Sequence, residues 1–141
     1  YPTGWPQPQV DGRDGWADFK EKSCFETELM SLLYFLESHN IQNVVFLAGD
    51  THWPFAISYD PDRDGVPNFY ELGASPMSSI PLAPPAELDP TFNPTVLYAE
   101  GEFQGDLFNF GYIAVAEDGA MTFRVVDWMG GERYALTLTP E

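Results

Sequence analysis

Positive charge is what this sequence has least of: six Lys and Arg stand against 22 Asp and Glu, a net charge of −16 over 141 residues. A surface that tracks nucleic-acid phosphates or anionic headgroups needs clustered cations. The shortage therefore excludes a basic nucleic-acid patch and a basic lipid-binding face. Cysteine is scarce as well. Cys24 stands alone, so no disulfide closes within the chain and the fold must rest on its core. No apolar run approaches the roughly 18 residues that a membrane-spanning helix requires. Internal repeats are absent, and nothing reads as a targeting segment. What is present is globular: 44% apolar and 16% aromatic residues, enough for one domain with its own core. The first residue is Tyr1 rather than Met, which reads as a segment of a longer or processed chain.

Along the chain, residues 1–16 are rich in Pro, Gly and Trp and predict an extended lead-in, because Pro6 and Pro8 remove donors and turn their neighbours away from helix. Ser23-Cys24-Phe25-Glu26 has the capping-box form. Phe25, Leu29, Leu32, Leu33 and Leu36 follow at helical spacing and predict one helix that ends near His39-Asn40. Val44-Val45-Phe46-Leu47 is a continuous apolar run, the pattern of a strand buried on both faces in mid-sheet. Two further strands, Phe55-Ala56-Ile57-Ser58-Tyr59 and Asn68-Phe69-Tyr70-Glu71-Leu72, flank the acidic turn 60–65 as a hairpin. Six prolines in residues 75–95 predict a long loop. The tail, 111–139, predicts a three-stranded meander, with turns at Asp118-Gly119 and Gly130-Gly131 and an alternation of Tyr134, Leu136 and Leu138. Phe103, Phe108, Phe110 and Tyr112 are expected to pack in core or loops.

The run Val44 to Ala48 ends in Gly49-Asp50-Thr51-His52. Ligands of α/β sheets sit beyond the carboxyl ends of strands. In an extended chain, the i, i+2 spacing of Asp50 and His52 puts both side chains on one side. Carboxylate plus imidazole suits zinc, iron or manganese better than magnesium. The alternative on spacing alone is a turn-capping Asp50 beside an ordinary surface histidine.

Gly49-Asp50-Thr51-His52 resembles the Gly-Asp-Val-His signature of the alkaline phosphatase D (PhoD-like) family of metallophosphoesterases. Arg13-Asp14-Gly15-Trp16-Ala17-Asp18-Phe19-Lys20 is similar to that family's Trp-Asp-Gly-Tyr-x-x-x-Arg segment, with Arg13, Trp16 and Lys20 as departures. Residues 70–79 are similar to its Glu-Phe-x-x-x-x-Ile-Ser-Ser stretch, and Asn93-Pro94 and Phe110-Gly111-Tyr112 fit later landmarks. The resemblance implies an α/β fold: residues 1–141 as the C-terminal part of a metallophosphoesterase-type α/β sandwich, one main helix followed by mainly antiparallel strands. It implies metal-dependent hydrolysis of phosphoesters at an iron and/or calcium centre. Asp50 and His52 would be ligands, with Asp14 near the metals. The family's first Gly-Asp motif and its Gly-Asn-His segment are not in this sequence, so the implied partners are a phosphoester substrate and an N-terminal remainder of the same protein. The implied location is secreted, periplasmic or at the cell surface.

A second metal signal is independent of that resemblance. Asp60-x-Asp62-x-Asp64-Gly65, with Glu71 at its twelfth position, satisfies the EF-hand-type calcium-loop pattern. The flanks predict strands rather than helices, and the alternative is a solvated acidic turn. The two signals leave a competing reading of the whole chain: a non-catalytic, calcium-stabilised extracellular interaction module on a degenerate phosphatase fold.

Overall fold

The computed structural model describes residues 26–86 and 88–140. The lead-in, Asp14, and the capping-box residues Ser23, Cys24 and Phe25 lie outside the described residues.

The helix α1 spans Glu26–Ser38. It ends by a Schellman closure: Asn40 N–H donates to the Glu37 carbonyl and Ile41 N–H to the Leu36 carbonyl, both at 2.9 Å, with Asn40 left-handed at φ 51°. His39 caps the same end. Its Nδ1 bonds the Phe35 carbonyl at 2.9 Å, and its ring lies on that of Phe35. Leu29 is fully buried.

Seven strands follow among the described residues: β1 Val44–Ala48, β2 Phe55–Tyr59, β3 Phe69–Gly73, β4 Pro94–Ala99, β5 Asn109–Val115, β6 Met121–Asp127 and β7 Glu132–Leu138. They form a four-stranded sheet in the order β1-β3-β2-β4 and a three-stranded sheet in the order β5-β6-β7. Among the described residues, one helix and two sheets make this a small mixed α/β fold.

The chain divides into two compact units. The first contains Ile57–Glu71, Pro85–Thr95 and the helix-bearing segment that ends at Phe46. Its core is aromatic. Phe69 stacks on Tyr59 at 4.7 Å between ring centroids and meets Phe46 and Phe92 edge-on. The Tyr59 hydroxyl, fully buried, donates to Glu71 Oε2 at 2.6 Å.

The second unit contains Leu47–Ala56, Leu72–Pro84 and Val96–Glu141. Its meander is antiparallel throughout. Gly119 and Gly130, at φ 86° and 85°, occupy the turns where a side chain would be strained. Phe123 and Val125 of β6 are buried, while Tyr134, Leu136 and Leu138 alternate half-buried with exposed neighbours. Tyr98 of β4 stacks flat on Tyr134 at 4.4 Å. Beside that stack, Arg133 pairs with Glu100, which also accepts from the Tyr98 hydroxyl at 2.8 Å. Burial and the adjacent carboxylate push the Tyr98 hydroxyl far above its ordinary value.

Three expectations need correction. β1 does not sit in mid-sheet: it is terminal in the strand order and only half-buried, with Leu47 65% exposed. Apolar content reports what a strand could bury, whereas its place in the sheet decides what it does bury. The predicted loop 75–95 stops earlier, because β4 begins at Pro94, a first-residue position where proline's missing donor is harmless. Phe103, Phe110 and Tyr112 are exposed rather than packed: Phe103 lies in a turn before β5, and β5 itself is a terminal strand with only Asn109 buried.

Candidate metal centre

β1 releases the chain at Ala48, and the following residues do not remain extended. Asp50 and His52 both take left-handed backbone, φ 67° and 66°, a region that Asp and His tolerate better than most residues. The same-side argument from extended spacing therefore does not apply. The turn, and not the pleat, orients these side chains. Thr51 between them points inward and is fully buried, its hydroxyl donating to the Trp53 carbonyl at 2.8 Å. Asp50 is exposed and His52 half-buried.

The proline-rich loop holds His52 at four points, the weakest being the Ser79 hydroxyl at 3.4 Å from Nδ1. Its N–H donates to Ser75 Oγ at 3.0 Å, its carbonyl accepts from Leu82 N–H at 3.0 Å, and its Nδ1 meets the Ile80 carbonyl at 2.7 Å. A carbonyl can only accept, so Nδ1 carries the proton. In the neutral ring, Nε2 is then left with its lone pair. Metal-binding histidines commonly have this arrangement, in which the non-ligating nitrogen is held by a carbonyl or carboxylate.

Among the described residues, Asp50 and His52 do not converge with a third acidic, thiol or imidazole ligand. The convergent group is Asp60, Asp62 and Asp64, whose ligand atoms lie within 4.8 Å of one another. The loop 60–68 joins β2 to β3 and is closed by the Asn68 N–H to Tyr59 carbonyl bond at 2.8 Å. Gly65, at φ 92°, turns its N–H back onto Asp60 Oδ2 at 3.2 Å. The other oxygen of Asp60 is buried without a hydrogen-bond partner. The Asn68 side-chain amide beside Asp62 holds that carboxyl below the usual range. Glu71, the expected twelfth-position ligand, is not in the group. It lies fully buried in β3, bonded to Tyr59. Strand geometry on both flanks turns it into the core, where a helical flank would have swung it back over the loop.

Spacing did not reveal Ser75, the Ile80 carbonyl or Asn109. Asn109 Nδ2 donates to the Ser75 and Leu107 carbonyls at 2.7 and 3.1 Å, and its N–H to the Pro76 carbonyl at 2.8 Å. The Ile80 group is a backbone carbonyl, which carries no residue signature. The serine is one of many in a loop.

The turn Asp50-Thr51-His52 follows β1 of a mixed α/β fold, with the His52 Nδ1 proton held by the Ile80 carbonyl. The family model described as PhoD-like phosphatase matches residues 5–124. The chain belongs to the PhoD-like phosphatase family. No curated protein and no solved structure matches it. Membership implies phosphoester hydrolysis by a metal-dependent class of enzyme. No helix among the described residues is long and apolar enough to cross a membrane.

Proposed function

We propose that this chain supplies Asp50 and His52 as ligands to the metal centre of a PhoD-like phosphatase or phosphodiesterase. In this reading, residues 1–141 are the C-terminal portion of a metallophosphoesterase sandwich. The remaining ligand segments come from an N-terminal remainder of the protein, and Asp14 stands near the metals. The observation that carries the reading is the His52 ring, whose Nδ1 proton is committed to the Ile80 carbonyl, leaving Nε2 as an electron-pair donor. One neutral imidazole nitrogen and one exposed carboxylate, two residues apart, suit zinc, iron or manganese, whereas iron and/or calcium is what the family resemblance implies. Bound cations of this kind lower the pKa of a coordinated water and offset charge on the phosphoryl oxygens during in-line displacement. His52, with its proton held by a backbone carbonyl, serves as a ligand rather than a proton shuttle.

In the intact protein, His52→Ala and Asp50→Asn should each lose bound metal and orders of magnitude in turnover of a chromogenic phosphomonoester or diester, with circular dichroism unchanged. Wild-type metal content and turnover in either variant overturns the assignment.

The acidic loop supports a second, structural role. We propose that Asp60, Asp62 and Asp64 bind calcium without Glu71, on the observation that the triad converges while Asp60 keeps a buried oxygen with no hydrogen-bond partner. Extracellular calcium modules bind at roughly 0.1–1 mM, so millimolar calcium would add about 1 kcal/mol of stability. That concentration suits an exported location. Thermal melting with calcium or chelator should separate wild type from Asp62→Ala/Asp64→Ala, and an identical response from both removes the site. The competing reading, a calcium-stabilised module without catalysis, shares this loop. It is favoured only if the intact protein binds calcium and hydrolyses neither ester.

A further inference from the structure

His52 is left-handed, and contacts from outside the turn hold it there. The hold begins at β5. Asn109 is 2% exposed, and its side-chain and main-chain N–H groups fix the Ser75 and Pro76 carbonyls. Ser75, fixed at its carbonyl, offers its hydroxyl to the turn, where Oγ accepts the His52 N–H at 3.0 Å. The Thr51 hydroxyl proton is already spent on the Trp53 carbonyl, so the 3.4 Å contact between Thr51 and Ser75 has Ser75 as donor. One serine hydroxyl thus uses both its functions, donating to Thr51 and accepting from His52.

We infer that Ser75 is the positioning residue of the centre: its hydroxyl pins the His52 backbone so that the ring reaches the Ile80 carbonyl and Nε2 faces outward. The inference rests on the ligand reading of His52 proposed above. Without the Ser75 oxygen, the His52 N–H has no acceptor in a half-buried position, and the backbone is free to leave the left-handed region. The ring then slips from Ile80, and neither nitrogen is selected for the proton. Groups that orient a metal ligand through a hydrogen bond are commonly worth about 10- to 100-fold in metal affinity.

Two readouts test this in the intact protein carrying Asp62→Ala/Asp64→Ala, which removes the acidic loop as a competing site. Zn2+ binding by calorimetry should weaken by about 10- to 100-fold in Ser75→Ala and recover in Ser75→Thr, which keeps the hydroxyl. Imidazole 15N spectra of the metal-free protein in alkaline buffer should show His52 as the Nδ1–H tautomer, and a tautomer mixture in Ser75→Ala. If Ser75→Ala retains wild-type affinity and tautomer while His52→Ala loses Zn2+, the positioning role is overturned and the ligand reading stands. If His52→Ala binds Zn2+ like wild type, both fall. Should Ser75→Ala fail to fold, hydrogen exchange on wild type decides the point. A protected His52 amide supports the pin, and a freely exchanging one overturns it.

Discussion

Gly101→Ala tests the clamp on His52 from a position that touches neither candidate ligand. A Cβ on Gly101 would lie 2.3 Å from the Leu82 carbonyl oxygen and 3.1 Å from Trp53 Cβ. Carbon–oxygen contacts become comfortable at about 3.3 Å, so the shortfall is about 1 Å. Neither neighbour can retreat freely. Trp53 is 2% exposed, Leu82 N–H is tied to the His52 carbonyl, and the preceding Pro81 carbonyl accepts from Gln104 N–H at 3.0 Å. Overpacking of this kind costs about 1–3 kcal/mol. Because Leu82 is bonded to His52, part of the displacement of about 1 Å passes to the ring, and losing the orientation of a metal ligand commonly costs about 10- to 100-fold in metal affinity. The assay is urea denaturation together with Zn2+ calorimetry on the intact protein. Gly49→Ala is the control: it adjoins Asp50, but its Cβ would meet nothing within 4 Å. It should leave both measurements near wild type. Gly101→Ala with unchanged stability and unchanged Zn2+ affinity would refute the clamp.

Other outcomes follow from the same geometry. Arg133 holds the Glu100 carboxyl below its ordinary 4.5, chiefly by hydrogen bonding, with the Tyr98 hydroxyl adding to the shift. A depressed folded pKa gives stability that is present above the unfolded value and lost as pH falls through the folded one. Arg133→Ala should therefore be less stable at neutral pH, and the difference should shrink in acid. Both partners are more than a third exposed at the side chain, so solvent screening keeps the loss small, read from melts across pH. A gap that widens in acid contradicts the assignment.

Much of the fold was legible where local chemistry decides it. The α1 stop at Asn40 could be read because Asn accepts left-handed backbone, and the meander because Asp118-Gly119 and Gly130-Gly131 force turns between alternating strands. β4 escaped notice because Pro94 and the loop prolines before it masked a strand that needs no donor at its first residue. The exposed flank of β1 escaped because an apolar run does not report its place in a sheet. Of the site, Asp50 and His52 carried a residue signature, and so did the three aspartates of the acidic loop. The geometry that orients them did not. Left-handed backbone at Asp50 and His52 replaced the expected pleat, and the contacts that fix His52 come from Ser75, Ile80 and Leu82, far along the chain and partly from main-chain atoms. Glu71 matched a pattern but not a place, because a strand turned it inward.

The most direct test of the central claim is an anomalous-scattering map at the metal edge, from crystals of the intact protein loaded with zinc or iron. The expected peak lies at bonding distance from His52 Nε2, about 2.0–2.1 Å for zinc, with Nδ1 still on the Ile80 carbonyl and the Asp50 carboxylate in the same coordination shell. A peak on Nδ1, or a metal centre that leaves His52 and Asp50 out, would contradict it.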